Sequence, residues 1–117
     1  MGGGRGYFLP KSDKAGRRKD EANFLEKFQA NGYALGDHRD RDEDRCGRQT
    51  TTARLLGLFH PGNLDGALDR HILKKGTVTA YPDQPDLVEQ TQAAIDILSK
   101  QANGFLLMVE IGTDRQI

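Results

Sequence analysis

Few side chains in this sequence have the type and the position that chemistry requires, and Glu110 is the best placed of them. It directly follows Phe105 to Val109, an unbroken apolar run of the kind that forms a buried strand. In open α/β sheets, functional groups gather just beyond the carboxyl ends of the strands. A carboxylate there could bind a metal ion or transfer a proton, but it could equally leave the sheet into solvent.

The other candidate side chains do not combine into a catalytic set. No pair of histidines has the i, i+4 spacing of a helical zinc site, the three being His38, His60 and His71. A surface or loop position is therefore the default interpretation for each of them. Ser12 lies in a charged connector and Ser99 near a predicted helix end, so neither indicates an activated nucleophile. The run GGGRG lacks the Lys and Ser/Thr spacing of a phosphate loop.

Composition excludes several classes of protein. A length of 117 residues fits one small domain, and a formal net charge of zero gives no positive field for nucleic acid. The single cysteine, Cys46, cannot form an intrachain disulfide. No apolar stretch approaches the ~20 residues of a membrane span, and the first residues lack the apolar core of a signal peptide. As written, the sequence predicts a soluble cytosolic polypeptide.

Two helices are predicted from apolar periodicity and end signals. The segment EANFLEKFQANG places Phe24, Leu25 and Phe28 on one face, and Gly32 lies where a helix would end. A longer helix over 86–102 begins with a candidate capping box of Asp86 and Glu89. Its buried stripe is predicted to consist of Leu87, Thr91, Ala94, Ile95 and Leu98.

The strands are predicted from short apolar runs. We predict buried strands over 54–59 and 105–110, with helix 86–102 packed on both, and a small strand over 33–35. Residues 37–48 are almost wholly charged and predict a solvated loop. Apolar strands that alternate with amphipathic helices favour an α/β fold with a mostly parallel sheet. Because the apolar segments are few and short, we expect a thin core.

Several stretches together resemble the bacterial alkaline phosphatases, in the same order and at similar separations. They are RLLGLFHPGNLDGALDR (54–70), PDLVEQTQAAIDILSK (85–100), GFLLMVE (104–110), the glycine turn MGGGRGYF (1–8) and the short strand NGYAL (31–35). The resemblance covers most of the chain. It implies a single partial domain over 1–117, an incomplete three-layer αβα sandwich with a mostly parallel sheet.

The resemblance also implies a chemistry. Alkaline phosphatases are homodimeric hydrolases of the periplasm or the extracellular space. They cleave phosphate monoesters through a phosphoserine, with two zinc ions and one magnesium ion. Glu110 matches the family's magnesium-site glutamate, and carboxylate oxygen is a ligand type that magnesium prefers. The nucleophilic serine and the phosphate-binding arginine precede the glycine turn in the family, and the zinc ligands follow the glutamate. No catalytic residue therefore carries over, and we expect the isolated chain to be inactive.

The residues after Glu110 depart from the family pattern. Asp114 comes one position too early for the zinc-binding aspartate, and no histidine follows it. With one permissible choice of codons, removing a single base restores a family-like continuation. We therefore hypothesise that 111–117 is an out-of-frame translation and that Met1 is an internal methionine. The alternative to an inactive fragment is a stand-alone binding module that reuses the segment, which would require a closed core and polar strand edges.

Overall fold

A computed structural model describes residues 1–36 and 54–112, and it shows a small α/β arrangement. Its regular elements, in chain order, are a 3-10 helix (Arg5–Phe8), helix α1 (Phe24–Ala30), strand β1 (Ala34–Gly36), strand β2 (Leu55–Gly57), a π-helix (Asp69–Leu73) and helix α2 (Leu87–Leu98). The predicted charged loop lies outside the described residues, as does the tail beyond Gly112. Among the residues described, no helix combines the length and the apolar character that crossing a bilayer requires.

The two strands form a parallel sheet, so the predicted α/β class with parallel pairing is confirmed. Ala34 lies beside Leu55 and Gly36 beside Gly57. On the opposite edge of β2, Gly2 forms an isolated parallel bridge with Leu58. The glycine turn at the start of the chain is thereby joined to β2, and the predicted strands over 33–35 and 54–59 are both found, although each is short.

The apolar core is thin, as composition predicts. Within 1–36 and 54–112, the buried apolar side chains are Leu58, Phe59, Ala93 and Ile97. Polar side chains share the interior with them, since His60, Gln84 and Gln90 are also buried. At α1, Phe28 packs on Phe8 and Tyr33 at centroid distances of 5.9 and 4.9 Å, so this helix is held to its neighbours by aromatic contacts.

Helix α1 ends where the sequence predicts, just before Gly32. Asn23 caps its start, because the Asn23 side chain accepts a hydrogen bond from the Glu26 backbone N–H. Gly32 takes a left-handed φ of 79°, which a side chain would oppose. The Gly32 N–H donates to the Gln29 carbonyl over 2.9 Å and closes the last turn.

Helix α2 begins as predicted and ends earlier than predicted. The capping box is formed: the Glu89 N–H donates to Asp86 Oδ1 over 2.8 Å, and the Asp86 N–H donates to Glu89 Oε2 over 2.9 Å. The predicted end at 102 is wrong, since the helix stops at Leu98 and a separate turn closes at Gly104.

The predicted buried stripe of α2 is also wrong. The buried residues of the helix are Gln90, Ala93 and Ile97, while Ile95 is 39% exposed. The other predicted members of the stripe are partly exposed. The helix therefore turns a neighbouring face toward the small core.

The predicted strand over 105–110 is not formed. These residues have no regular secondary structure, and Leu106 and Met108 are 91% and 86% exposed. A strand requires a neighbour that takes its backbone hydrogen bonds. In the described part of the chain, no other segment forms a ladder with this one. The predicted packing of α2 on this strand is absent for the same reason.

Candidate functional site

A cavity of about 750 Å³ lies between the glycine turn, helix α2 and the extended segment 107–112. Met1 to Gly4 form one wall and the first turns of α2 form another. The third wall is the segment that carries Glu110. The glycine turn, the first turns of α2 and the segment that carries Glu110 therefore surround one space.

Glu110 lies on this cavity with an exposed side chain. The sequence placed it at the end of a strand, whereas the structure places it on an irregular segment. Among the described residues, no group of three or more His, Cys, Asp or Glu side chains could hold a metal ion. Magnesium requires a near-octahedral shell of oxygen ligands, and zinc requires about four ligands in a tetrahedron. The residues described here do not fit either ion.

The predicted apolar face of α2 lines the same cavity. Leu87, Thr91 and Ala94 all contribute to the wall, and the Thr91 hydroxyl donates to the Leu87 carbonyl over 2.7 Å. The apolar periodicity of α2 therefore predicts a face that is suited to burial, but in the structure this face borders the cavity. This explains why the predicted stripe and the buried residues differ by one position on the helix.

The three histidines lie in different surroundings. His38 is outside the described residues, and His71 is exposed on the π-helix. His60 lies outside the helices and strands, as a loop histidine would, but it is only 8% exposed, so its interpretation as a surface side chain is wrong. The His60 ring packs edge-on against Tyr81 with the centroids 4.6 Å apart. The three rings do not combine into a site.

His60 belongs to a chain of hydrogen bonds that we call the His60 network, formed by His60, Asp65, Thr77 and Gln84. The Gly62 N–H donates to His60 Nδ1 over 2.9 Å. An acceptor role at Nδ1 leaves the proton of a neutral ring on Nε2, which lies 2.8 Å from Thr77 Oγ1. The Thr77 hydroxyl in turn donates to Asp65 Oδ2 over 2.5 Å.

Gln84 completes the network and is its most buried member, at 1% exposed. Its Nε2 donates to Asp65 Oδ2 over 2.7 Å and to the Tyr81 carbonyl over 2.9 Å. Its Oε1 accepts from the Asp65 N–H over 2.7 Å. The Thr77 hydroxyl thus donates its proton to the Asp65 carboxylate and accepts a hydrogen bond from the His60 imidazole. The imidazole therefore cannot act as a general base toward this hydroxyl. This arrangement connects loops and does not generate a nucleophile.

The sequence carried only a weak signal for this network. Its members are separated by between 5 and 24 positions and follow no period. The Pro-Gly and Pro-Asp dipeptides at 61–62 and 82–83 are typical of turns, but they carry no information about the contacts between the two loops.

A comparison with protein-family models identifies the family of the chain. Residues 1–116 match the model described as alkaline phosphatase. The chain belongs to the alkaline phosphatase family. The resemblance stated from the sequence is therefore confirmed over nearly the whole chain.

Comparisons with individual alkaline phosphatases support the same family assignment. The chain is 32% identical to the repressible alkaline phosphatase of Saccharomyces cerevisiae, over 94% of this chain and 20% of the yeast protein. It is 34% identical to the alkaline phosphatase of Gadus morhua, over 96% of this chain and 24% of the fish protein. The likeness is therefore not confined to bacterial members, and the chain spans about a fifth of the length of these relatives.

A solved structure supports the fold. The crystal structure of Thermus thermophilus alkaline phosphatase superposes with a TM-score of 0.66 at 29% identity. The match covers 89% of this chain and 18% of the Thermus chain. The short parallel sheet and its helices are thus part of an alkaline phosphatase fold, which agrees with the prediction of an incomplete α/β domain.

Within this alkaline phosphatase segment, one carboxyl of the His60 network has a shifted pKa. Burial acts to raise the pKa of Asp65, but hydrogen bonds from Thr77 and Gln84 outweigh it. The pKa of Asp65 therefore lies below its ordinary value. A depressed carboxyl pKa stabilises the folded state above the unfolded pKa, and that stability is lost as the pH falls through the folded pKa.

We expect Asp65→Asn to flatten the acid dependence of stability. Below the ordinary aspartate pKa of about 4, the unmodified chain should lose stability more steeply than the variant, because the variant has no carboxyl to protonate at this position. Urea denaturation at a series of pH values measures this. Parallel slopes for the two proteins would contradict the contribution of Asp65.

Proposed function

We propose that this chain is a partial alkaline phosphatase domain that supplies Glu110 to a magnesium site of a longer enzyme and has no phosphatase activity on its own. The observation that carries the proposal is the position of Glu110 on the cavity beside the glycine turn, with no second ligand among the described residues. The substrates of the whole enzyme would be phosphate monoesters. Its cofactors would be zinc and magnesium, and its assembly a homodimer.

The isolated chain is expected to be inactive because phosphoryl transfer requires several catalytic groups and metal ions together. Metal-assisted transfer to a serine needs an activated nucleophile and cations clamped around the transferring group. Ser12 is exposed on the charged connector and Ser99 is exposed at the end of α2. Neither lines the cavity that holds Glu110. A single carboxylate cannot bind magnesium with useful affinity, because most of the oxygen shell would still be water.

We expect the isolated 117-residue chain to show no turnover of p-nitrophenyl phosphate in the presence of zinc and magnesium. The measurement is the release of p-nitrophenolate, followed by absorbance. The matched control is Glu110→Gln, which keeps the size of the side chain and removes its charge. It should give the same background rate. Turnover above background that disappears in Glu110→Gln would refute the proposal.

One observation favours a second candidate function, a non-catalytic binding module. His60 and Gln84 of the His60 network are buried and the members hydrogen-bond to one another, which is characteristic of a specific folded state. The exposed side chains of Leu106 and Met108 oppose this candidate, because a self-sufficient module would cover them. A sharp cooperative thermal transition of the monomer would favour the binding module. Aggregation or a molten state would favour the fragment.

A further inference from the structure

The chain contains nearly the same short sequence twice, at the end of α1 and just after α2. Residues 29–33 read QANGY and residues 101–105 read QANGF. In both copies the glycine takes a left-handed φ, which is 79° at Gly32 and 78° at Gly104. The asparagine is exposed in both copies. The two Asn-Gly pairs therefore have matched neighbours, and the hydrogen bonds around them are what distinguishes them.

An Asn-Gly pair can deamidate without an enzyme. The glycine backbone nitrogen attacks the asparagine Cγ and loses its proton, a carbon–nitrogen bond forms, and the side-chain nitrogen leaves as ammonia. Water then adds to one of the two carbonyls of the resulting cyclic imide and breaks the bond from that carbon to nitrogen. One opening gives aspartate, and the other gives isoaspartate, whose main chain runs through the side-chain carbon. Glycine favours the attack because it has no Cβ to hinder the approach.

At Asn31 the last turn of α1 holds both reacting groups. The Asn31 Nδ2 donates to the Lys27 carbonyl over 2.7 Å, which fixes the carboxamide. The Asn31 N–H donates to the carbonyls of Lys27 and Phe28 over 3.2 and 3.1 Å, and the Gly32 N–H donates to the Gln29 carbonyl over 2.9 Å. Ring closure at this pair therefore requires the end of the helix to open first.

Asn103 has no such contacts, because α2 already ends at Leu98. Within the described part of the chain, neither the side chain nor the backbone of Asn103 makes a hydrogen bond. The Gly104 N–H donates to the Gln101 carbonyl over 3.2 Å, a longer bond than its counterpart at Gly32. The carboxamide of Asn103 is thus free to rotate toward the Gly104 nitrogen.

A third pair that could form the same ring is Asp65-Gly66, where water would leave in place of ammonia. The Asp65 carboxylate accepts hydrogen bonds from the Thr77 hydroxyl and from the Gln84 amide. Its backbone N–H donates to Gln84 Oε1 over 2.7 Å. The His60 network therefore holds this side chain away from the Gly66 nitrogen.

We propose that Asn103 is the rapid site of spontaneous deamidation in this chain and that it accumulates isoaspartate, the substrate of methyltransferases that act on isoaspartyl residues. Isoaspartate adds a methylene group to the main chain and a carboxylate to the turn. This turn joins α2 to the segment that carries Glu110, so the modification changes that connection. The inference goes beyond the proposed function, because the reaction does not depend on phosphatase activity.

The test incubates the folded chain at mildly alkaline pH and follows each Asn-Gly pair by mass spectrometry of proteolytic peptides. Conversion of amide to acid should be at least about tenfold faster at Asn103 than at Asn31, because Asn31 reacts only after its hydrogen bonds open. Equal rates at the two sites, or a faster reaction at Asn31, would overturn the proposal.

The denatured chain is the matched control for sequence effects. In guanidinium chloride both pairs lose their hydrogen bonds, and their neighbouring residues are almost the same, so the two rates should converge. A ratio of rates that is unchanged by denaturation would overturn the proposal, because the difference would then not come from the folded structure.

A methyltransferase specific for isoaspartate, supplied with labelled S-adenosylmethionine, identifies the product. Incorporation of label should rise with the time of incubation and should be lost in Asn103→Gln, because glutamine would have to close a larger ring. Asn31→Gln is the matched control and should leave the incorporation unchanged. An incubated chain that takes up no label, or uptake that persists in Asn103→Gln, would overturn the proposal.

Discussion

Gln84→Glu is expected to destabilise the folded chain by about 3–5 kcal/mol at neutral pH, the largest effect that we predict for any single substitution. Gln84 is 1% exposed, and its amide donates to Asp65 Oδ2 and to the Tyr81 carbonyl. A carboxylate of the same shape has no proton to donate to either group. It would also place a second negative charge beside Asp65 in a buried position, where desolvation strengthens repulsion.

The matched control for this prediction is Gln92→Glu. The Gln92 amide donates to Asp96 Oδ1 over 2.8 Å in an exposed pair on α2, so the same carboxyl–carboxyl contact is created in water. It should cost less than about 0.5 kcal/mol, because solvent screens exposed charges. Urea denaturation measures both changes in the free energy of unfolding. Similar costs for the two variants would show that the contact between Asp65 and Gln84 is solvated.

The loss in Gln84→Glu should also depend on pH with a definite sign. Repulsion and burial both favour the protonated form of the introduced carboxyl in the folded state, so the folded state binds more protons than the unfolded state. The stability of the variant relative to the unmodified chain should therefore recover as the pH is lowered. A deficit that stays constant between neutral and mildly acidic pH would contradict charge repulsion as its cause.

Gly3→Ala is expected to cost about 1–3 kcal/mol and to release the glycine turn from the loop that follows β2. A Cβ at Gly3 would overlap the Gly62 carbonyl oxygen and would lie 3.1 Å from the Leu64 nitrogen. Both are backbone atoms that cannot rotate away. The Gly62 carbonyl already accepts from the Gly4 N–H over 2.6 Å, so moving it breaks a hydrogen bond as well.

Gly2→Ala is the control for Gly3→Ala. A Cβ at Gly2 has no other atom within 4 Å, and neither Gly2 nor Gly3 has a positive φ, so the two substitutions differ in the space available rather than in backbone conformation. The control should be nearly neutral. The free energies of unfolding of both variants can be read from urea denaturation. Equal costs would mean that the turn is not docked on the loop in solution.

The parts of the fold that could be predicted from the sequence are those that depend on neighbouring residues. The capping box of α2 uses Asp86 and Glu89, three positions apart, and the end of α1 uses the adjacent residues Asn31 and Gly32. The apolar run before His60 predicted β2 because strands buried on both faces show no alternation. These local signals do not depend on contacts with distant parts of the chain.

The wrong predictions concern elements that need partners elsewhere. Residues 105–110 have the composition of a buried strand, but composition does not supply the neighbouring backbone that a ladder requires. The predicted stripe of α2 has the correct period and borders an open cavity instead of a core. The assignment of Glu110 to a metal site was made from the same run and stays a prediction. The His60 network was not predicted, because its contacts join loops that no period relates.

The exposed apolar run from Phe105 to Val109 has a consequence for the life of this polypeptide in a cell. Chaperones and proteases distinguish unfolded from folded chains largely by accessible apolar segments, and in this chain such a segment is accessible in the folded state itself, with Leu106 91% and Met108 86% exposed. Folding of the described residues does not by itself cover this segment, so their folded state still presents a surface that chaperones and proteases recognise.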